Sequence, residues 1–271
     1  MRNEAEINAK LKERFEVFLR QIEREQNGLI SEVDSTRVEL IDLIEKYADE
    51  KGNIDKKRLR KLLRELETMD GYISDTILDE IENTIEESTN RAKRDILISL
   101  GVLAVGVIGS KKILDGIKSG VMKDEAKDGL TLEERIRRFS GNLVDDIRKT
   151  IRDGIYKGHS TVQINRALKK TIKKQEWQLK RLVATVSPNA YRRTIAMMAQ
   201  EGNYVKAVRI IDRRGRHKNH ERHECYRLAE QDPYGWGKGV YRPEDSYIYE
   251  PHPNCTAYYE LILKDDIERG D

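Results

Sequence analysis

The chain has 271 residues, of which 37% are charged, 38% hydrophobic and 6% aromatic, and it carries a net charge of +3. That is too polar for one thick globular core, and its long periodic apolar stretches argue against wholesale disorder, which leaves extended helical packing with much solvated surface. Two cysteines do not indicate a disulfide framework, and the charged segment Met1 to Lys10 lacks the apolar stretch of a secretory signal, so a soluble intracellular protein is expected.

Ile7, Leu11, Phe15, Phe18 and Ile22 repeat at three- and four-residue steps, which lays one apolar stripe along a helix. Asn27-Gly28 reads as a break. Thr36 and Glu39 form a T-x-x-E capping box, so a second helix is expected to start there ahead of Leu40, Leu43 and Ile44. Lys51-Gly52-Asn53 is the next break. Leu59, Leu62, Leu63 and Leu66 resume the helical period, and Ile77, Ile81 and Ile85 do so after Gly71.

The longest apolar run, Ile96 to Gly109, would span about 21 Å as a helix, short of a roughly 30 Å hydrocarbon core. Its length favours a helix buried in the core or between subunits; the alternative is a segment that contacts membrane when a particle delivers its contents. Gly120 and Gly129 among charges mark residues 119–130 as a linker.

Thr131 with Glu134 and Ser160 with Gln163 are capping boxes. Between them Leu143, Ile147, Ile151 and Ile155 keep i+4 spacing up to Gly158, a C-cap glycine. Ser187-Pro188 reads as an N-cap followed by a first-turn proline. Beyond Gly202 the pattern changes: Tyr204 to Ile211 reads as a strand, 219–231 as a short helix, and Tyr247-Ile248-Tyr249 and Thr256 to Leu263 as strands flanking the turn Pro251 to Cys255.

The expected fold class is mainly α, an extended helical body followed by a small C-terminal α+β Cys/His module. The expected division is an N-terminal helical region 1–118, the linker 119–130, a basic helical region 131–202 and a module 203–271 with an acidic tail from Asp265 to Asp271.

Charge is unevenly spread. Residues 131–218 hold 22 Lys/Arg against 8 Asp/Glu, a local +14, so the remainder carries −11. Such a middle suits an anionic partner such as nucleic acid, the alternative being a solvated helix surface. Lys169, Lys170, Lys173, Lys174, Lys180 and Arg181 are its densest set, and Trp177 is the main stacking aromatic among them. With so few aromatics, contact with a duplex backbone is expected over single-strand binding.

The phosphate-loop, dinucleotide and nucleophile-elbow motifs are missing. His220 and His223 stand three apart where a zincin needs four, and Asp145 and Asp146, adjacent on a helix, point about 100° apart. Both cysteines and four of the five histidines fall within residues 217–255. Cys225, His252 and Cys255, with His220 or His223, are candidate zinc ligands; the alternative is a hydrogen-bonded histidine beside two buried thiols.

Ile210-Ile211-Asp212, then Cys225 and Leu228, then His252-Pro253-Asn254-Cys255 before an apolar strand, resembles the C-terminal signature of phage minor head proteins, the Mu F-like head morphogenesis family. That pattern is a strand ending in Asp, a C-x-x-C, a glycine-bearing spacer and H-P-x-C-R-C before a last strand. Ile151 to Leu168, with Gly158, His159 and Ser160, resembles the family's upstream helix pair. The resemblance covers roughly residues 131–263. Arg222 stands at the first cysteine of C-x-x-C, Thr256 at the arginine and Ala257 at the final cysteine. The resemblance implies a low-copy minor capsid protein without enzymatic activity, made in the host cytoplasm. It would be associated with the portal and other head proteins inside the virion, and would contact packaged double-stranded DNA non-specifically. Competing readings are a metal-dependent nuclease, using His217, His220, His223 or His252 near Asp212, and a cytoplasmic helical adaptor.

Overall fold

A computed structural model describes residues 3–101, 111–124, 129–202, 204–213 and 219–264. Residues 102–109 of the apolar run, 125–128 of the expected linker, His217 and the acidic tail therefore lie outside the described residues. The fold is mainly α with a small C-terminal sheet: α1 Glu4–Tyr47, α2 Lys56–Leu100, α3 Lys111–Lys123, α4 Leu132–Tyr156, α5 Thr161–Glu201, β1 Val205–Ile211, α6 Glu224–Glu230, β2 Val240–Tyr241 and β3 Tyr258–Leu263. Among the described residues no helix is long and apolar enough to cross a membrane.

Several expected breaks do not occur. Helix α1 runs unbroken through Asn27 and Gly28, because the buried series Ile22, Leu29, Val33, Leu40 and Ile44 keeps the phase of the stripe begun at Ile7. A mid-helix glycine costs only about 1 kcal/mol against that burial. Thr36 is no cap: it sits in the same stripe, 1% exposed, and its hydroxyl donates to the Val33 carbonyl at 2.6 Å. Helix α2 likewise continues through Gly71.

Pro188 lies inside α5, not at a helix start. Val183, Val186, Ala190 and Tyr191 stay buried on either side of it, and this packing outweighs the lost backbone hydrogen bond. Tyr247-Ile248-Tyr249 belongs to a 3-10 turn, Ser246–Tyr249, and not to a strand. Helix α3 extends through Lys123, across the first residues of the segment read as a linker.

Where the caps form, they do so as their residue types dictate. The Thr131 hydroxyl accepts from Glu134 N–H and the Glu134 carboxylate accepts from Thr131 N–H; Ser160 and Gln163 repeat the exchange. Gly158, at φ 69°, closes α4 as His159 N–H donates to the Gly154 carbonyl and Gly158 N–H to Ile155. Gly154 lets α5 approach, since a Cβ there would stand 2.8 Å from Ile164.

The chain groups into two compact units, one of residues 1–24, 83–121 and 183–271, the other of 25–82 and 122–182. In the second, four helical segments ring one aliphatic core. Lys46 pairs with Glu65 between α1 and α2, and the Arg148 guanidinium reaches the Leu66 carbonyl between α4 and α2. Thr150 meets Thr171 between α4 and α5, and Arg37 donates to Asn165 between α1 and α5. Leu40, Leu62, Ile77, Ile147 and Leu168 fill the interior, each no more than 1% exposed.

The first unit carries the sheet, antiparallel with strand order β2-β1-β3. Phe15 and Phe18 cover Tyr191 of α5, with centroids 5.3 and 4.5 Å away, so the early part of the α1 stripe is buried within the chain itself. The outer edge of β3 is closed by α1. Asn8 Nδ2 donates to the Leu261 carbonyl at 2.9 Å, Leu261 N–H returns to Asn8 Oδ1 at 2.8 Å, and Leu263 N–H donates to the Glu4 carboxylate at 2.9 Å. Side chains of a helix thus take the place of a fourth strand and satisfy an edge that would otherwise be open to pairing.

Candidate metal centre

Three pieces of chain, far apart in sequence, meet at one end of the sheet. Strand β1 leads into Asp212; His223 immediately precedes α6 and Cys225 lies in its first turn; the turn 252–255 precedes β3. The turn is tight, with Asn254 at φ 56°, a conformation asparagine tolerates better than most residues. Helix α5 anchors it. Asn254 N–H donates to Thr185 Oγ1 at 3.2 Å, and Arg192, wholly buried, donates to the carbonyls of Tyr249 at 2.8 Å and Cys255 at 2.9 Å. Arg193 pairs with Glu250 beside it.

His223, Cys225 and His252 offer ligand atoms that all lie within 4.8 Å of one another. The His223 and His252 rings stand edge to face with centroids 4.7 Å apart, and His252 Nε2 lies 3.1 Å from Cys225 Sγ. His252 Nδ1 is 2.9 Å from the Pro253 carbonyl, which can only accept, so Nδ1 carries a proton and Nε2 is the atom turned to Cys225. A backbone carbonyl fixing the tautomer in this way is the usual support of a metal-ligating histidine.

Cys255 is buried and shares a hydrogen bond with Cys225. Within this pair the hydrogen bond, and then burial, push the Cys225 thiol well up. Cys255 is held well below the usual thiol range, by the hydrogen bond from Cys225 and then by the nearby Arg192 and His252. Both cysteines are free thiols.

Tetrahedral nitrogen and sulfur ligands around zinc stand about 3.5 Å apart, so His223, Cys225 and His252 need only a small contraction to share a metal ion; Cys255, beside Cys225, is not one of the three. His220 is not in the cluster: its ring packs edge-on against Tyr226 at 5.5 Å. It does line the adjoining cleft, with Asp212, Arg213, Tyr226 and Thr256.

The basic set lies elsewhere, in the four-helix unit. Lys169, Lys170, Lys173, Lys174, Lys180 and Arg181 are all exposed on α5 within an arc of about 140°, with Trp177 in its middle, 57% exposed. Arg192 and Thr185 support the His/Cys cluster yet carry no sequence signal, since nothing local distinguishes a buried arginine from the solvated ones around it. No family model, curated protein or solved structure matches the chain.

Proposed function

We propose that this protein is a phage minor head protein. It joins the assembling head beside the portal in the host cytoplasm, remains inside the virion and contacts packaged double-stranded DNA without sequence preference or chemistry. The observation that carries this reading is the meeting of the Asp212 end of β1, Cys225 on α6 and the His252 to Cys255 turn around one cluster. These are the separated parts of the signature that resembles the Mu F-like family, and they form one packed feature. The exposed cationic face of α5 supplies phosphate neutralisation without base readout, which is all such a contact requires.

The metal is zinc, held by His223, Cys225, His252 and Cys255. Its role is to tie the turn to α6 in a module with little core of its own. The deciding experiment expresses the protein with head and portal components and isolates particles by sedimentation. Mass spectrometry should find it in the particle fraction at few copies per head; its absence from particles, with all of it free, overturns the reading.

A second reading, a metal-dependent nuclease, draws on the cleft beside the cluster, where Asp212 and His220 face the same space as His223 and His252. Plasmid cleavage in Mg²⁺ or Mn²⁺ that is lost in His252→Ala would favour it over the first.

A further inference from the structure

Both tryptophans of the chain are exposed, Trp177 at 57% and Trp236 at 45%, and each is framed by charge of one predominant sign. On α5, Lys173, Lys174, Lys180 and Arg181 stand at i−4, i−3, i+3 and i+4 from Trp177, the four positions that surround a residue on a helix surface. Trp236 lies on a loop of the sheet-bearing unit, tilted against Tyr234 at 5.1 Å, with the Arg242 guanidinium 4.7 Å from the Tyr234 ring centre and 6.0 Å from that of Trp236. Tyr247, 56% exposed, extends this aromatic surface. In the chain around it Glu230 pairs with Lys238 and Asp245 accepts from Tyr234 and from the backbone of Arg242, while Asp232 and Glu244 stand exposed, so the acidic side chains exceed the basic ones by two.

The aromatic surface is held in place before any partner arrives. The Asp245 carboxylate accepts from the Tyr234 hydroxyl at 3.0 Å and from Arg242 N–H at 3.0 Å. Gly239, at φ 72°, donates to the Gln231 carbonyl and accepts from Ile210 N–H, and any side chain there would collide with the Ile210 carbonyl. Rigid Trp, Tyr and Arg surfaces are the composition of interface hot spots, and opposite rims around apolar centres favour docking of one on the other.

We propose that the Trp236 surface of one copy docks on the Trp177 face of a second copy, so that the chain associates head to tail through two different patches. Because the second patch is the face assigned above to DNA, duplex DNA competes with this association; that clause alone rests on the proposed function. The association itself does not.

The test is sedimentation velocity on the full chain at about 0.05 M NaCl and again at about 0.5 M, where the screening length falls to roughly 4 Å. The wild-type protein should sediment above the monomer at low salt and return to it at high salt. Trp177→Ala and Trp236→Ala should each remain monomeric at both, while an equimolar mixture of the two forms a species of two copies and nothing larger, since one intact patch of each kind remains. Asp232→Lys with Glu244→Lys, which leaves every ring in place, should also abolish association. A monomeric wild type at low salt, single variants that assemble like wild type, or a mixture that stays monomeric would each overturn the proposal.

Discussion

The two units solve the same packing problem by different means. In the four-helix unit the interior is aliphatic and its buried polar side chains are uncharged: Thr36, Ser74 and Ser140. The sheet-bearing unit holds the two buried charged residues found among the described residues, Asp95 and Arg192. Asp95 accepts from the Tyr191 hydroxyl at 3.0 Å and from Arg91 at 3.0 Å, and Arg192 holds the turn beneath the His/Cys cluster. Non-directional burial suffices to bundle helices. Placing a turn so that His252 meets His223 and Cys225 needs directional bonds, whose value lies mainly in the cost of leaving them unmade.

This contrast can be broken experimentally. Arg192→Met should have the largest effect, about 3–5 kcal/mol in denaturant unfolding, because two or more buried carbonyls lose their donor. Loss of near-ultraviolet tyrosine signal with most helical signal retained would confine the damage to the sheet-bearing unit; uniform loss of both would show that the units do not differ in this respect. Ile147→Ala, in the aliphatic core, should cost about 2–5 kcal/mol by leaving a cavity, with no change in zinc content. Asn8→Ala should cost about 1–3 kcal/mol by unpairing both backbone groups of Leu261, and should raise amide exchange along β3 selectively.

The smallest effect is one of sign. Burial depresses the His252 imidazole, but hydrogen bonding and charge from Cys255, with the Pro253 carbonyl, outweigh it and leave its pKa raised. In metal-free protein that stabilisation is fully present below about pH 6.5, the unfolded value, and is lost as pH rises through the folded value. A bound metal reverses the trend, since protons compete for its ligands on acidification. In metal-free protein the depressed Cys255 works against this slope, its contribution being lost as pH falls, so the metal is read from the difference between the two conditions. The rise in thermal midpoint that zinc gives over chelator should grow from pH 5.5 to 8, and a zinc effect that is absent or does not grow with pH would remove the metal from this cluster.

Local signals hold where the local solution is also the global one. Thr131, Glu134, Gly158, Ser160 and Gln163 make their caps because helices α4 and α5 do end there. The same kinds of signal misled at Gly28, Thr36 and Pro188, where burial continues in phase across the punctuation and tertiary packing overrides it. Tyr247-Ile248-Tyr249 has strand composition, yet its buried members are served by a single tight turn. At the site, Cys225, His252 and Cys255 stood out through residue type and clustering. The choice of His223 over His220 could not be read, because it depends on which ring α6 turns toward residue 252. Arg192 and Asn8 were invisible, since their partners lie 57 and 253 positions away.

The closure of β3 by α1 also sets an order of events during synthesis. Asn8 and Leu261 are separated by 253 residues, which a ribosome adding roughly 5–20 residues per second needs on the order of tens of seconds to span. Throughout that interval the apolar stripe of Ile7, Leu11, Phe15 and Phe18 has been made but the strand it serves has not. The four-helix unit, complete once residue 182 has emerged, can fold first, whereas the sheet-bearing unit must wait for β3. Nascent chains stalled between these points would display that stripe to chaperones, and pulse proteolysis of such chains should cut residues 4–24 while sparing 132–156.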